Sequence, residues 1–145
     1  MSATRESFWG HGTYAVVGHS AERAFPRLTY EGLKESGKAV YAVDPSRDEI
    51  EGDRSYPDLD SLPGSVDAVV LEVPRDETAE WVERAVQAGI GRVWIHQGTE
   101  SDEAIALAGR QGLETHHGTC AVMYLSRGFN AHGLHRLLWK AIGRY

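Results

Sequence analysis

Long apolar runs are missing from this sequence. Nothing in it approaches the roughly 20 consecutive apolar residues of a membrane span, and the opening MSATRESFW lacks the apolar stretch of a secretory signal. No membrane partner is therefore expected, and the expected location is cytoplasmic. Cysteine is almost absent as well. The lone Cys120 excludes an internal disulfide framework and fits a reducing compartment. Cations are in the minority, 15 Lys and Arg against 21 Asp and Glu, which sets the formal net charge at −6. General nucleic-acid binding needs clustered cations to neutralise phosphates, so that class is disfavoured, while a local basic pocket remains compatible with an acidic chain. Low-complexity segments and internal repeats are also lacking.

What is present describes an ordinary globular chain, with 41% apolar and 25% charged residues. Its 145 residues suffice for one domain with a proper core and are short for two, so a single domain over residues 1–145 is expected, its core at about 13–125. The stretch Thr13 to Arg27, TYAVVGHSAERAFPR, organises the rest. An apolar run at Tyr14 to Val17 reads as a buried strand. Gly18 then opens a polar turn that delivers the backbone to the start of a helix. Unpaired N–H groups and the positive end of the helix dipole make such a turn a natural anion site.

Before this strand, residues 2–12 carry Phe8 and Trp9 and are expected to form a short helix or arm whose aromatic pair packs on the domain. After it, Phe25, Leu28, Gly32 and Leu33 recur at helical spacing, Pro26 is acceptable in a first turn, and Gly37 stands where a C-cap belongs. Ala39 to Val43 is a second strand ending at Asp44-Pro45, followed by a polar loop from Ser46 to Pro57. Val66 to Val73 is a third strand, with Asp76 able to cap a helix that carries Ala79, Val82, Ala85 and Val86 and closes at Gly89. Arg92 to Ile95 is a fourth strand. A capping signal at Thr99 to Asp102 opens a helix over Ala104 to Ala108 that Gly112 terminates, and Leu113 to His116 supplies a fifth strand.

Strands that are apolar throughout and alternate with helices predict an α/β fold, a Rossmann-like, doubly wound, parallel five-stranded sheet with helices on both faces. Right-handed crossovers put every strand's C-terminal end on one edge, so the binding site is expected on that rim. A further amphipathic helix is read at about 130–144, with Ala131, Leu134, Leu138, Ala141 and Ile142 on one face. It either packs on its own domain or makes a homodimer contact.

Dinucleotide binding calls for Gly-x-Gly-x-x-Gly after the first strand and an acid about 20 residues on. Only Gly18 and Asp44 answer to that pattern, a weak match that keeps an NAD(P)-binding oxidoreductase or redox sensor as an alternative. A metal is not expected. His116, His117 and Cys120, or His132 and His135, have ligand-like spacing, yet no second Cys or His pair completes a zinc pattern. Neither His116 nor His117 has a carboxylate or glycine-rich turn that marks it as a phosphoryl acceptor. Buried and inert is the expected state of Cys120, with a mixed disulfide as the alternative.

Taken in order, the segments AVVGHSAER, AVDPSRDEIEGDRSYPDLDSLP, VDAVVLEVPRDET, AVQAGIGRVWIHQGTESDEA and HHGTCAVMYL resemble the stand-alone CoA-binding proteins, single domains similar to the N-terminal CoA-binding domain of the succinyl-CoA synthetase α subunit. The resemblance covers roughly residues 10–125. It implies a Rossmann-like fold with coenzyme A, or an acyl-CoA, across the C-terminal edge of the sheet. By position, Gly18, His19, Ser20 and Ala21 would form the phosphate turn, with Arg23 beside it. Asp44, Pro45, Ser46 and Arg47 match the loop after the second strand, where Asp44 replaces the family's common Asn and is expected to turn toward ribose hydroxyls. Val73, Pro74 and Arg75 match the loop after the third strand; Ile95, His96, Gln97 and Gly98 match the loop after the fourth. Arg23, Arg47 and Arg75 are suitable partners for phosphates on their own chemistry. The resemblance implies binding without turnover, because the synthetase's phosphorylated histidine and nucleotide-binding subunit have no counterpart here. An assembly module acting through the C-terminal helix is the remaining alternative.

Overall fold

A computed structural model of the chain describes residues 5–119. The expected C-terminal helix, Cys120, His132 and His135 lie outside the described residues. In chain order the elements are α1 (Arg5–Phe8), β1 (Thr13–Gly18), α2 (Phe25–Glu35), β2 (Ala39–Val43), β3 (Glu49–Ile50), β4 (Asp53–Tyr56), β5 (Ala68–Glu72), α3 (Arg75–Gln87), β6 (Arg92–His96), α4 (Asp102–Arg110) and β7 (Glu114–Thr119). One sheet runs β3-β4-β2-β1-β5-β6-β7, and every neighbouring pair is parallel except β3 with β4.

Strand periodicity divides the core into two layers. From β1, β5 and β6, the residues Tyr14, Val16, Val70 and Trp94 face one side, where they pack with Phe8 and Trp9 of the N-terminal arm and Leu28 and Leu33 of α2. Their neighbours Ala15, Val17, Val69, Leu71, Val93 and Ile95 face the other, against Trp81, Val82 and Ala85 of α3 and Ala104 and Ala108 of α4. Both faces of the central strands are covered, which is why these segments read as unbroken apolar runs. Trp94 is fully buried at the centre of an aromatic cluster with Phe8 and Trp9, at ring-centroid distances of 5.4 and 4.8 Å. Tyr14 shares this layer. Its hydroxyl donates to the Phe8 carbonyl at 2.6 Å, and burial pushes the phenol up to about 12.

The five expected strands are found as β1, β2, β5, β6 and β7, and the sheet then extends past them. Residues 46–57, expected as a polar loop, contain β3 and β4. Their ladder buries little more than Ile50 and Ser55, so no apolar run announces two strands at the sheet edge. The helix termini follow the glycines: Gly37, Gly89 and Gly112 take φ of 86°, 79° and 72° just past α2, α3 and α4. Ser101 caps α4 by accepting the Ala104 amide at 3.1 Å. Asp76 does not cap α3. Pro74 occupies the N-cap position without a side-chain cap bond, and Asp76 stands inside the first turn, where it still complements the helix dipole.

Candidate functional site

The rim begins at Gly18, which ends β1. A Cβ at this position would come within 2.7 Å of Pro26 Cβ and 2.9 Å of the Glu72 carbonyl oxygen, so β1 can run this close to α2 and β5 only with glycine there. The following turn closes on itself through bonds from the Glu22 and Arg23 amides to the His19 carbonyl, at 2.9 and 3.1 Å. Helix α2 then starts at Ala24 with no side-chain cap and no acid in its first turn.

Asp44 holds this turn from beside it. One carboxylate oxygen accepts the Ser20 amide at 2.9 Å; the other accepts the Ser46 amide at 2.9 Å and the Ser46 hydroxyl at 2.5 Å. Ser46 Oγ in turn accepts the Ala21 amide at 3.2 Å. Asp44 is buried. Both of its oxygens accept bonds from backbone and hydroxyl groups of the two loops, so the residue serves as a strut between them.

Across β1 from this strut, β5 and β6 deliver the other wall. A cleft of roughly 330 Å³ opens between the turn and their loops, lined by His19, Glu22, Arg23, Pro26, Glu72, Val73, Pro74, Arg75, His96, Gln97, Gly98 and Thr99. The loop after β6 is held in shape by Thr99 Oγ1 donating to the His96 carbonyl at 2.8 Å and Thr78 Oγ1 donating to the Thr99 carbonyl at 2.7 Å, while Gly98 takes φ of 87°. Arg75 reaches the Gly98 carbonyl at 3.3 Å, and His19 pairs with Glu77 of α3 at 2.8 Å. The register of β6 against β7 shifts between Ile95 and His96, an irregularity that re-aims the chain at the rim.

His19, Arg23, Val73, Pro74, Arg75, His96, Gln97 and Gly98 are thus brought together by the fold. Gly18, Ser20 and Ala21 shape the turn beneath them. Pro45 and Arg47 are exposed on the adjoining loop and do not line this cleft, Ser46 reaches the site only through Ala21, and Ile95 is fully buried in the core. A residue just inside a strand end points to a layer of the core, whereas its successors form the rim. Sequence reading missed Glu22, Pro26, Glu72 and Thr99. Glu72 had a readable signal, an acid inside the apolar run VDAVVLEV at the C-terminal end of a central strand.

His116 departs from expectation. His116 sits within β7, packed on Trp94 and Phe8, and pairs with Glu114 at 2.9 Å. The carboxylate lies two residues earlier on the same strand face, a proximity that only strand geometry makes visible. No group of His, Cys, Asp or Glu suited to a metal occurs among the described residues, and none of their helices is long and apolar enough to cross a membrane.

A conserved hypothetical protein from Pyrococcus furiosus superposes with a TM-score of 0.69 at 32% identity, covering 76% of this chain and 96% of that one. The dinucleotide-forming acetyl-coenzyme A synthetase 1 of Ca. Korarchaeum cryptofilum shares the fold, with a TM-score of 0.65 at 24% identity over 77% of this chain and 27% of the synthetase. A trans-feruloyl-CoA synthase from an unknown prokaryotic organism is 33% identical over 75 residues, which are 52% of this chain and 10% of that protein; the chain thus matches a small part of a much longer relative. The model of a family described as a CoA binding domain matches residues 12–126, which contain the whole of the sheet just described. The chain belongs to the CoA binding domain family.

Proposed function

We propose that this chain binds coenzyme A or an acyl-CoA without turning it over, holding the ligand by its nucleotide and phosphate end. The carrying observation is the asymmetry of the two helix ends at the cleft. Helix α3 brings Asp76 and Glu77 in its first turn, and Glu77 is already engaged by His19. Helix α2 brings neither an acid nor a cap. A pyrophosphate is therefore favoured over the Gly18 to Ala21 turn and the start of α2, with Arg23 and Arg75 at the sides of the cleft. The loop at Pro45, Ser46 and Arg47, on the β2 side of the turn, then falls to the adenosine portion and its 3′-phosphate, and Arg47 is exposed there. Val73, Pro74 and the segment from His96 to Gly98 take the remainder.

An NAD(P) reading is less favoured. It needs Asp44 to receive ribose hydroxyls, and this buried carboxylate already accepts bonds from Ser20 and Ser46 on both of its oxygens. Native mass spectrometry of the protein as purified, followed by calorimetric titration with CoA, acetyl-CoA and NADH, tests the proposal. Heat and an adduct of CoA mass are expected. Absence of binding to every CoA species, or tighter binding of NADH, would overturn it.

A further inference from the structure

The described residues bury a carboxylate at the base of the cleft that phosphate binding leaves unexplained. Glu72, the last residue of β5, lines the cleft and is only 5% exposed. Thr29 Oγ1 of α2 donates to its Oε2 at 2.7 Å, and His96 Nδ1 lies 3.2 Å from the same oxygen. No donor among the described residues reaches Oε1. A carboxylate withdrawn from water and left with an unanswered oxygen is costly, and in a ligand cleft the missing donor is expected from the ligand.

We infer that Glu72 Oε1 accepts a hydrogen bond from an amide N–H of the pantetheine arm, making Glu72 the residue that reads the arm rather than the nucleotide. The inference rests on the CoA reading above and specifies which part of the ligand lies over β5. Its chemistry follows from charge and position. A carboxylate repels phosphates, so the part of the ligand above it carries donors and no anionic group. In the sheet order β2-β1-β5-β6 the phosphate turn after β1 separates the Asp44 loop from the Glu72 and His96 side. With adenosine toward β2, the phosphate-free arm extends over β5 and β6. The walls there, Val73, Pro74 and Pro26, are aliphatic and suit the arm's alkyl segments. The Thr29 hydroxyl holds Oε2, which orients the carboxylate before the ligand arrives.

The test is a cycle of two ligands and two proteins, measured by calorimetry on the intact chain: CoA and a CoA analogue N-methylated at both arm amides, against wild type and Glu72→Leu. Wild type is expected to bind the analogue about 10- to 100-fold more weakly than CoA, the range of a charged hydrogen bond, and Glu72→Leu to bind the two alike. Equal affinity of wild type for both ligands would overturn the inference, as would an equal loss in both proteins. Failure of wild type to bind CoA at all would instead overturn the functional reading on which it rests. Should Glu72→Leu not fold, the isosteric Glu72→Gln takes its place, with the ratio between ligands expected to shrink; an unchanged ratio would again overturn it.

Discussion

Asp44 accepts the backbone amide of Ser20 at 2.9 Å and thereby ties the loop after β2 to the turn after β1. The residue acts as a part of the scaffold at the rim. The same carboxylate satisfies the Ser46 amide and hydroxyl, and the Asp44 carbonyl accepts the Ser55 hydroxyl at 3.0 Å, so one side chain and its backbone connect β1, β2 and β4 at the rim.

Replacing Asp44 by alanine leaves the Ser20 and Ser46 amides without their acceptor. A loss on the order of 2–3 kcal/mol is expected in urea unfolding, with Asp44→Asn milder because one oxygen remains. CoA affinity should fall in both, since the turn loses its support. Unchanged stability in Asp44→Ala would show that the loops hold each other by other means.

At Gly18 the consequence is steric. The added methyl of Gly18→Ala meets Pro26 on one side and the Glu72 carbonyl on the other, and neither is the end of a flexible side chain. Displacement of the α2 start should cost about 1–3 kcal/mol and weaken CoA binding more than any single arginine replacement. Thermal melting and calorimetry on one preparation check both effects.

Charge at the rim gives a third prediction. Arg23→Ala and Arg75→Ala should each weaken CoA by roughly tenfold, a drop that shrinks as salt is raised. Arg47→Ala should matter less for adenosine diphosphate than for CoA, because its loop is assigned to the 3′-phosphate. Titrations at low and high ionic strength separate these contacts from neutral ones.

Alkaline stability depends on Tyr14. Its phenol ionises near 10 in an unfolded chain and is pushed up to about 12 in the fold, first by burial, with the Asp67 carboxylate adding to it. The folded protein thus holds the proton more tightly. The contribution is fully present below pH 10 and is lost as pH rises toward 12. Chemical denaturation in this window should show stability falling with pH. Tyr14→Phe should flatten that slope, while losing the bond to the Phe8 carbonyl, about 1 kcal/mol at neutral pH.

Much of the fold was legible along the chain because covered parallel strands write themselves as apolar runs. Val69 to Leu71 and Val93 to Ile95 could be assigned from composition alone, and the positive-φ glycines at 37, 89 and 112 punctuated the helices. The edge was not legible: β3 and β4 bury too little to leave a pattern. At the rim, Arg23 and Arg75 followed from strand ends and chain direction and His19 from the family resemblance, while Ile95 fell one residue inside and belongs to the core.

By itself the sequence determined the parallel α/β architecture, the edge on which the loops after the strands gather and the family, because periodicity, turn residues and local motifs are properties of neighbouring positions. Tertiary structure alone decided what each polar side chain is for. Ser20 lies 24 positions from Asp44, and Thr29 lies 43 from Glu72. Whether a carboxylate is a strut, like Asp44, or an acceptor with one oxygen unanswered, like Glu72, depends on which donors the crossovers bring within about 3 Å, a distance that position along the chain does not encode.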